Sequence, residues 1–425
     1  MPKTAAVVGA GIAGLVSAKR LIEAGYQVEI FESTSRVGGL IASANLGGHQ
    51  IDIGAESFAV AKNTVPELCA ELGIEQLIVS PQRSDARILT SGGAHLIPHG
   101  VLGIPSDLDD PAVVDVVGAD AVAAAKQLDS AAWNYPPEIT IGALVEARLG
   151  RAFVDNFLTP VIAGVHSSDA MTLEAATVAP GLLAKAAELG SLVAAVGATR
   201  NSAARPGAAV ASISGGMHRL VSALESHLIK AGAKIHLNRP VESLADLNDY
   251  DRVVLAAGIE GAAQLFSDLA AIRGVDAAVV ALLVESEQLN ELPRGSGVLV
   301  AADVEGISAK AATHVNAKWA WVNSELPPNQ HILRFSFGRN GILPADTDAL
   351  AALAVADAAK IFGVDDIRVV ESVTQLWPKA LVQSGPGHSV IVKRVKAALA
   401  ADSRLAIIGA GLGGNGITGI LSEGR

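Results

Sequence analysis

The residues best placed to do chemistry form a glycine pattern near the start of the chain. Gly9-Ala10-Gly11-Ile12-Ala13-Gly14 follows the apolar run Thr4–Val8 and opens a helical stretch over 15–24. Gly9 permits a tight turn, Gly11 lets backbone approach a pyrophosphate, and Gly14 lets the helix lie close on the strand. The first N–H groups of the helix then face the phosphates. Gly25 ends the helix, residues 26–31 read as a second strand, and Glu32 follows. That is roughly the 20-residue separation at which an acid meets a ribose hydroxyl, and it favours an adenosine without a 2′-phosphate. Set between a strand and a helix, the glycines point to dinucleotide binding rather than to a plain turn.

The next residues narrow the dinucleotide. Arg36-Val37-Gly38-Gly39 resembles the flavoprotein extension in which R-x-G-G follows the ribose acid and holds FAD; a glycine hairpin is the bland alternative. Near the other end of the chain the apolar residues 405–408 lead into a second glycine loop over 409–417. It repeats the order of strand, loop and helix start. Its helix N-terminus suits a flavin or a pyrophosphate, and a simple turn stays open.

These motifs need a scaffold. The chain has 425 residues, enough for two or three domains with ample core. Half of them are hydrophobic (50%), but much of that is alanine, which explains a mean hydropathy of +0.40. The apolar stretches, such as 192–198, are far shorter than the roughly 18–20 residues a membrane span needs, so no transmembrane segment is expected. No cleavable signal is expected, since the first strand begins within the opening residues. Cys69 is the only cysteine, which excludes a disulfide framework and a cysteine metal cluster; it reads as a buried structural thiol. A cytoplasmic protein without metal is expected. The net charge of −11 argues against nucleic acid and against an anionic membrane surface. It leaves room for an anionic small molecule, because a local basic cluster can outweigh the global sign. Oligomeric state is left open.

Along the chain, 87–89 and 95–98 alternate as a hairpin, and 111–199 has helical periodicity broken by prolines. Gly215-Gly216 precedes a helix over 218–231, and 234–237 and 250–257 read as strands returning to the nucleotide-binding sheet. Further strands are expected at 279–284, 297–300 and 331–337, with a helix over Leu350–Phe362. The expected class is α/β: a Rossmann-type FAD-binding domain (1–77, 207–262 and 370–425), a mixed-sheet substrate-binding domain (78–110 and 263–369), and an inserted helical lobe (111–206).

Taken in order, the motifs resemble the protoporphyrinogen/coproporphyrinogen oxidase family within the monoamine-oxidase-like FAD superfamily. They are the N-terminal fingerprint with R-x-G-G, and Pro160 with Ala163-Gly164-Val165-His166, followed by Asp169, Leu173 and Pro180. Then come Gly215-Gly216-Met217 with Leu220, and the closing Gly409-Ala410 and Gly414-Asn415-Gly416-Ile417. Trp377-Pro378-Lys379-Ala380 with Gly387-His388 resembles the family's W-x-x-A-x-P-x-Y-x-x-G-H block, although Val382 and Ser384 replace its Pro and Tyr. By this resemblance the chain ends within a closing helix.

The resemblance implies FAD contacts at Gly9, Ala10, Gly11, Ile12, Ala13 and Gly14, then at Glu32, Ser33, Arg36, Gly38 and Gly39. Gly54, Ala55, Glu56 and Ser57 would lie against the flavin. Val241, Trp377, Ala410, Asn415, Gly416 and Ile417 would complete the site. Gly164 and Val165 would line the substrate cavity. Arg83, Arg87 and Arg205, on the flanks of the lobe, are candidates for substrate carboxylates, with a solvated surface role as the alternative. The implied reaction is FAD-dependent, oxygen-using oxidation of coproporphyrinogen III to coproporphyrin III in haem biosynthesis, with a tetrapyrrole and O2 as small-molecule partners. Protoporphyrinogen IX oxidation, another flavin amine oxidase or desaturase activity, and a flavin-free binding protein of the same fold are the alternatives. No Ser-His-Asp or paired-carboxylate pattern stands out, so no catalytic acid or base is assigned; the cofactor carries the difficult chemistry.

Overall fold

The computed structural model describes residues 2–82, 85–179, 181–199, 209–413 and 416–423. The glycine loop leaves the middle of a five-stranded sheet whose pairings are all parallel. Its order is Lys234–His236, Gln27–Phe31, Thr4–Val8, Arg252–Leu255 and Leu405–Ile407. The middle strand shows no polar alternation because both of its faces are covered. Ala5 and Val7 join Val28, Ile30 and Val254 in a core with the helices Ile12–Glu23 and His218–Lys230. Ala6 and Val8 join Val253, Leu255 and Ile407 in a second core, with Ile259 and Val395 from the helices Gly258–Leu265 and His388–Leu399. Cys69 is buried in the first of these cores, and burial pushes its thiol up to about 11, as befits a structural residue.

A seven-stranded mixed sheet forms the second body of the protein. Its order is Arg368–Val382, Gly274–Glu285, Gln330–Phe337, Ala311–His314, Gly297–Val300, Ala86–Thr90 and Gly93–Leu96. Only Gly297–Val300 and Ala86–Thr90 pair in parallel among these described strands. Helix Leu350–Phe362 covers one face, over Leu282, Phe335 and Phe337. Leu283 and Ile332 on the other face pack with Trp319 and with Leu46 and Ile51 of the hairpin formed by Ser43–Leu46 and His49–Asp52.

The strand Arg368–Val382 was not anticipated, and the expected boundary at residue 370 falls inside it. Its sequence carries Pro378 and alternates toward solvent, which hides a strand from a hydrophobic pattern. The register with Gly274–Glu285 breaks between Val275 and Ala277, so Pro378 and Lys379 lie where no ladder N–H is required. Lys379 has a φ of 50° there.

The lobe between residues 111 and 199 is helical, as its periodicity suggests, but its helices are short. They close around one apolar core that includes Leu144, Phe153, Phe157, Leu158 and Leu192. A π-helical turn, Val154–Leu158, precedes the helix Thr159–His166, where Pro160 has no N–H to donate and the wider turn absorbs the missing bond. A polar node sits inside the lobe. Arg148 is fully buried and donates to the Asp129 carboxylate (3.1 Å), to Ala131 O (2.8 Å) and to Gly190 O (2.7 Å). Asp129 in turn accepts from the N–H groups of Leu192 (2.8 Å) and Val193 (3.2 Å), capping the helix Leu192–Thr199.

In the seven-stranded sheet, His314 and His331 are both buried, with His314 Nε2 and His331 Nδ1 2.9 Å apart. The Asn316 amide also contacts His331 Nδ1 (3.2 Å), so this nitrogen accepts, while His331 Nε2 donates to Ser286 O (3.1 Å). The pair is therefore held neutral. Burial, reinforced by His331, pushes His314 down to about 3. A histidine depressed in the folded state gives stability that is present above its ordinary value near 6.5 and is lost on acidification toward 3. Asp52 is pushed up to about 7 and titrates with the opposite sign. A difference measurement separates them. The stability gap between the wild type and His314→Gln, from urea unfolding, is expected to move by about 2 kcal/mol in favour of the variant between pH 7 and pH 5. A gap independent of pH would contradict a neutral buried His314.

Candidate active site

The phosphate side of the site is built almost wholly from backbone. A Cβ on Gly14 would lie 1.9 Å from the carbonyl oxygen of Gly9, so only glycine lets the helix Ile12–Glu23 rest on the turn that it follows. The second glycine segment docks on the first. Gly38 N–H donates to Ala10 O (2.8 Å), Gly11 and Gly38 form a parallel bridge, and a Cβ on Gly39 would stand 3.1 Å from the Gly11 Cα. Glu32 fastens the corner, its carboxylate accepting from Ala10 N–H (2.8 Å) and from Thr34 N–H (2.9 Å). Arg36 spans its own loop, donating to Gly39 O (2.8 Å) and Val37 O (3.3 Å), with its guanidinium 5.9 Å from the Trp377 ring. The two motifs that read as separate phosphate elements are thus one surface.

This surface is one wall of a cavity of about 680 Å³. Gly9, Gly11, Ile12, Ala13, Glu32, Ser33, Gly38 and Gly39 line it on that side, with Val241 nearby. Gly54 and Ala55 come from the strand-to-loop segment, and Trp377 and Pro378 from the register break in the long edge strand. Trp377 is fixed by its indole N–H, which donates to Ile53 O (2.9 Å). The closing loop supplies Gly409, Gly411, Leu412, Gly416 and Ile417. Gly409 N–H donates to the Glu423 carboxylate (3.2 Å), a group that burial holds above the usual carboxylate range. These residues fit FAD. A side-chain-free glycine cradle meets a helix N-terminus for the phosphates, an acid sits at the ribose position, and an indole and aliphatic walls suit a flat ring system.

A third group of lining residues comes from the lobe and the seven-stranded sheet: Gly164, Ser167, Lys310, Arg334, Ser336 and Val279. Charge gathers here. Arg334 donates to Gly54 O (2.5 Å) and to Glu56 (3.2 Å), and Lys318 contacts the other oxygen of Glu56. Burial alone would raise the Glu56 carboxyl, yet Lys318 and Arg334 together hold it below its ordinary value. Asp52 is raised to about 7 mainly by burial, with Glu56 adding to the rise and the Met217 N–H opposing it; that N–H donates to both Asp52 oxygens at 3.0 Å. Lys310 contacts the Ser167 hydroxyl, and burial, with Arg339 and Arg334 nearby, pushes its ammonium down to about 7.

Most of the residues singled out from the sequence meet around this cavity, some of them indirectly. Ala10 and Gly14 lie behind the lining, Ala10 in the core and Gly14 against the turn. Glu56 acts on the cavity through Arg334, and Ser57 lies just beyond the lining residues. Val165 belongs to the helix Thr159–His166 beside Gly164, and Ala410 to the short helix Ala410–Gly413. Arg83, Arg205 and Asn415 fall outside the described residues.

Arg87 is placed elsewhere. It sits half-buried on the strand Ala86–Thr90, away from the cavity lining, with its Nε unpaired and near enough to Arg294 to add to the lowering that burial imposes on that second guanidinium. Strand alternation explains the placement: Ile88 enters the lobe core, so Arg87 is turned to the opposite face. Sequence reasoning missed Ser167, Lys310 and Arg334. One of them carried a signal: Arg334 interrupts the apolar alternation of Gln330–Phe337.

Comparison with known proteins gives this geometry a lineage. The profile of the flavin containing amine oxidoreductases matches residues 12–416. The coproporphyrinogen III oxidase of Mycobacterium tuberculosis is 31% identical, over 98% of this chain and 94% of the relative. The coproporphyrinogen III oxidase of Staphylococcus aureus is 25% identical, over 100% of this chain and 98% of its own. A crystal structure from Exiguobacterium shares the fold with a TM-score of 0.85, at 24% identity and with 99% of this chain and 96% of that one covered. The fold extends to UDP-galactopyranose mutase, with a TM-score of 0.71 at 13% identity, 97% of this chain and 90% of that one. The chain belongs to the flavin-containing amine oxidoreductase family, and within it to the group of the protoporphyrinogen and coproporphyrinogen oxidases.

Proposed function

We propose that this chain oxidises coproporphyrinogen III to coproporphyrin III, with FAD as its cofactor and O2 as the electron acceptor. The observation that carries the reading is the cationic end of a largely aliphatic cavity, where Lys310 and Arg334 stand with Gly164, Val279 and Ser336. A reduced tetrapyrrole has an apolar ring and a rim of propionates, and that cavity offers a partner to each. The Mycobacterium and Staphylococcus relatives carry the name of this activity. When bound, FAD would take the electron pair of each oxidation as a hydride and deliver it to O2.

The chain's own residues would hold and shape. Gly9 to Gly14 would seat the pyrophosphate, Glu32 and Ser33 the ribose, and Val241 the adenine side. Arg36, Gly38 and Gly39 would brace the phosphate wall, while Gly54 to Ser57, Trp377, Ala410 and Asn415 to Ile417 would enclose the flavin. Gly164 and Val165 would leave space for the tetrapyrrole ring. In this arrangement the five-stranded sheet and the edge strand Arg368–Val382 bind the cofactor, while the rest of the seven-stranded sheet and the helical lobe bind substrate. No described helix is long and apolar enough to cross a membrane, which is in keeping with a cytoplasmic enzyme meeting a four-carboxylate substrate in water.

Lys310 has no carboxylate of its own among the described residues, and the four propionates of coproporphyrinogen III can reach it in more orientations of the ring than the two of protoporphyrinogen IX. Aerobic initial rates, read from porphyrin fluorescence, are therefore expected to favour coproporphyrinogen III. A faster rate on protoporphyrinogen IX would reverse the assignment, and oxidation of an amine in place of both would move the protein to another branch of the family.

A further inference from the structure

Lys310 and Ser167 stand where two separate parts of the chain meet. Lys310 immediately precedes the strand Ala311–His314 of the seven-stranded sheet, and Ser167 caps the lobe helix Thr159–His166. Ser167 holds a left-handed backbone, with a φ of 51°, that a non-glycine residue rarely adopts. The two side chains are 1% and 0% exposed, both line the cavity, and the Lys310 ammonium donates to the Ser167 hydroxyl.

An ammonium has three N–H groups, and a buried one is normally matched by a carboxylate. Among the described residues no carboxylate lies within ion-pair distance of Lys310. Glu56, the carboxylate at this end of the cavity, is already shared by Lys318 and Arg334. The other charged groups acting on Lys310 are Arg339 and Arg334, both of its own sign. Positive charge is thus concentrated in a buried place, in a chain whose net charge is −11. Such a charge is costly to keep without a counter-ion. A position that lines a cavity can receive one from outside, and the Ser167 hydroxyl, which accepts from Lys310, still has its own proton to donate.

We infer that Lys310 and Ser167 form a carboxylate-binding subsite inside the cavity, which takes one propionate of the bound tetrapyrrole. The subsite rests on the function proposed above and adds to it the point at which the substrate is anchored. Its walls come from the lobe and the seven-stranded sheet, whereas the glycine cradle comes from the five-stranded sheet. One propionate fixed there limits how the ring can turn in the cavity and so which bridging carbon is presented for oxidation. Lys310 and Ser167 are positioning residues in this role.

The test compares an acid with its ester. The FAD-loaded protein is titrated with coproporphyrin III and with coproporphyrin III tetramethyl ester, for the wild type, Lys310→Met and Ser167→Ala. Methionine matches the length of the lysine stem without its charge, and Ser167→Ala serves should the first variant fail to fold. Lys310→Met is expected to weaken binding of the acid by about 30-fold or more, with the ester unchanged. Ser167→Ala is expected to give a smaller loss, again confined to the acid. Equal losses for acid and ester, or none, would overturn the subsite while leaving the proposed function standing. An altered flavin absorbance band in Lys310→Met with unchanged affinity for the acid would also overturn it, by giving the lysine to the flavin. A wild-type protein that binds neither compound and oxidises no porphyrinogen would remove the proposed function, and the subsite with it.

Discussion

Replacing Gly14 with alanine is expected to give a folded protein that purifies with little or no bound flavin. The added methyl would meet the Gly9 carbonyl oxygen at 1.9 Å, a backbone atom that cannot rotate aside. The helix Ile12–Glu23 must then move off the turn, or the turn must move off the sheet. Both movements spoil the cradle, because Gly11 also touches the Gly38–Gly39 segment and Ala10 is tied to Glu32 and to Gly38. Overpacking of this kind costs about 1–3 kcal/mol. Where that strain falls on the flavin-bound geometry, the dissociation constant for FAD rises roughly 5- to 150-fold. Fluorescence titration of the apoprotein with FAD measures it. Unchanged affinity in a folded Gly14→Ala protein would show that the helix start does not receive the phosphates.

The second large effect is expected far from the cofactor. Arg148→Ala should lower the stability of the lobe by about 3–5 kcal/mol, because it leaves Asp129 charged and buried without its partner. The loss is larger than a core truncation would suggest, since the node joins three helices. Arg148 lies on Ile141–Leu149, Asp129 ends Ala119–Asp129, and its carboxylate caps Leu192–Thr199. Trp133 stacks on the guanidinium at 5.2 Å and offers a fluorescence reporter for urea unfolding. Arg151→Ala is the control. Its ion pair with Asp155 is exposed, so its urea midpoint should stay with the wild type. Flavin binding should survive Arg148→Ala, while oxidation of the tetrapyrrole should not, because the lobe brings Gly164 and Ser167 to the cavity.

The contrast between these two sites explains what could be read in the sequence. The first strand, glycine turn and helix are contiguous, and their spacing alone implies the backbone geometry. The same holds for the hairpin of Ala86–Thr90 with Gly93–Leu96 and for the helix Leu350–Phe362, whose patterns are local. What escaped was non-local or disguised. Arg368–Val382 carries a proline and exposes one face, so its pairing with Gly274–Glu285 supplies the evidence that its composition withholds. Lys310 and Ser167 are 143 residues apart, and Arg334 and Glu56 are 278 apart. No periodicity records such meetings. The placement of Arg87 away from the cavity lining was hidden for a related reason: an arginine near the lobe is informative only once the strand face that carries it is known. Arg148 and Asp129 show the same limit within the lobe, where two charges inside an alanine-rich helical region read as surface until the fold closes over them.

The most direct measurement is anaerobic mixing of the purified, FAD-loaded protein with coproporphyrinogen III, following the flavin band and the porphyrin Soret band together. Flavin bleaching in step with loss of the porphyrinogen is the expected result, with the flavin colour returning and coproporphyrin accumulating when O2 is admitted. A flavin band that stays oxidised with coproporphyrinogen III in excess would contradict the assignment of this cavity to a porphyrinogen.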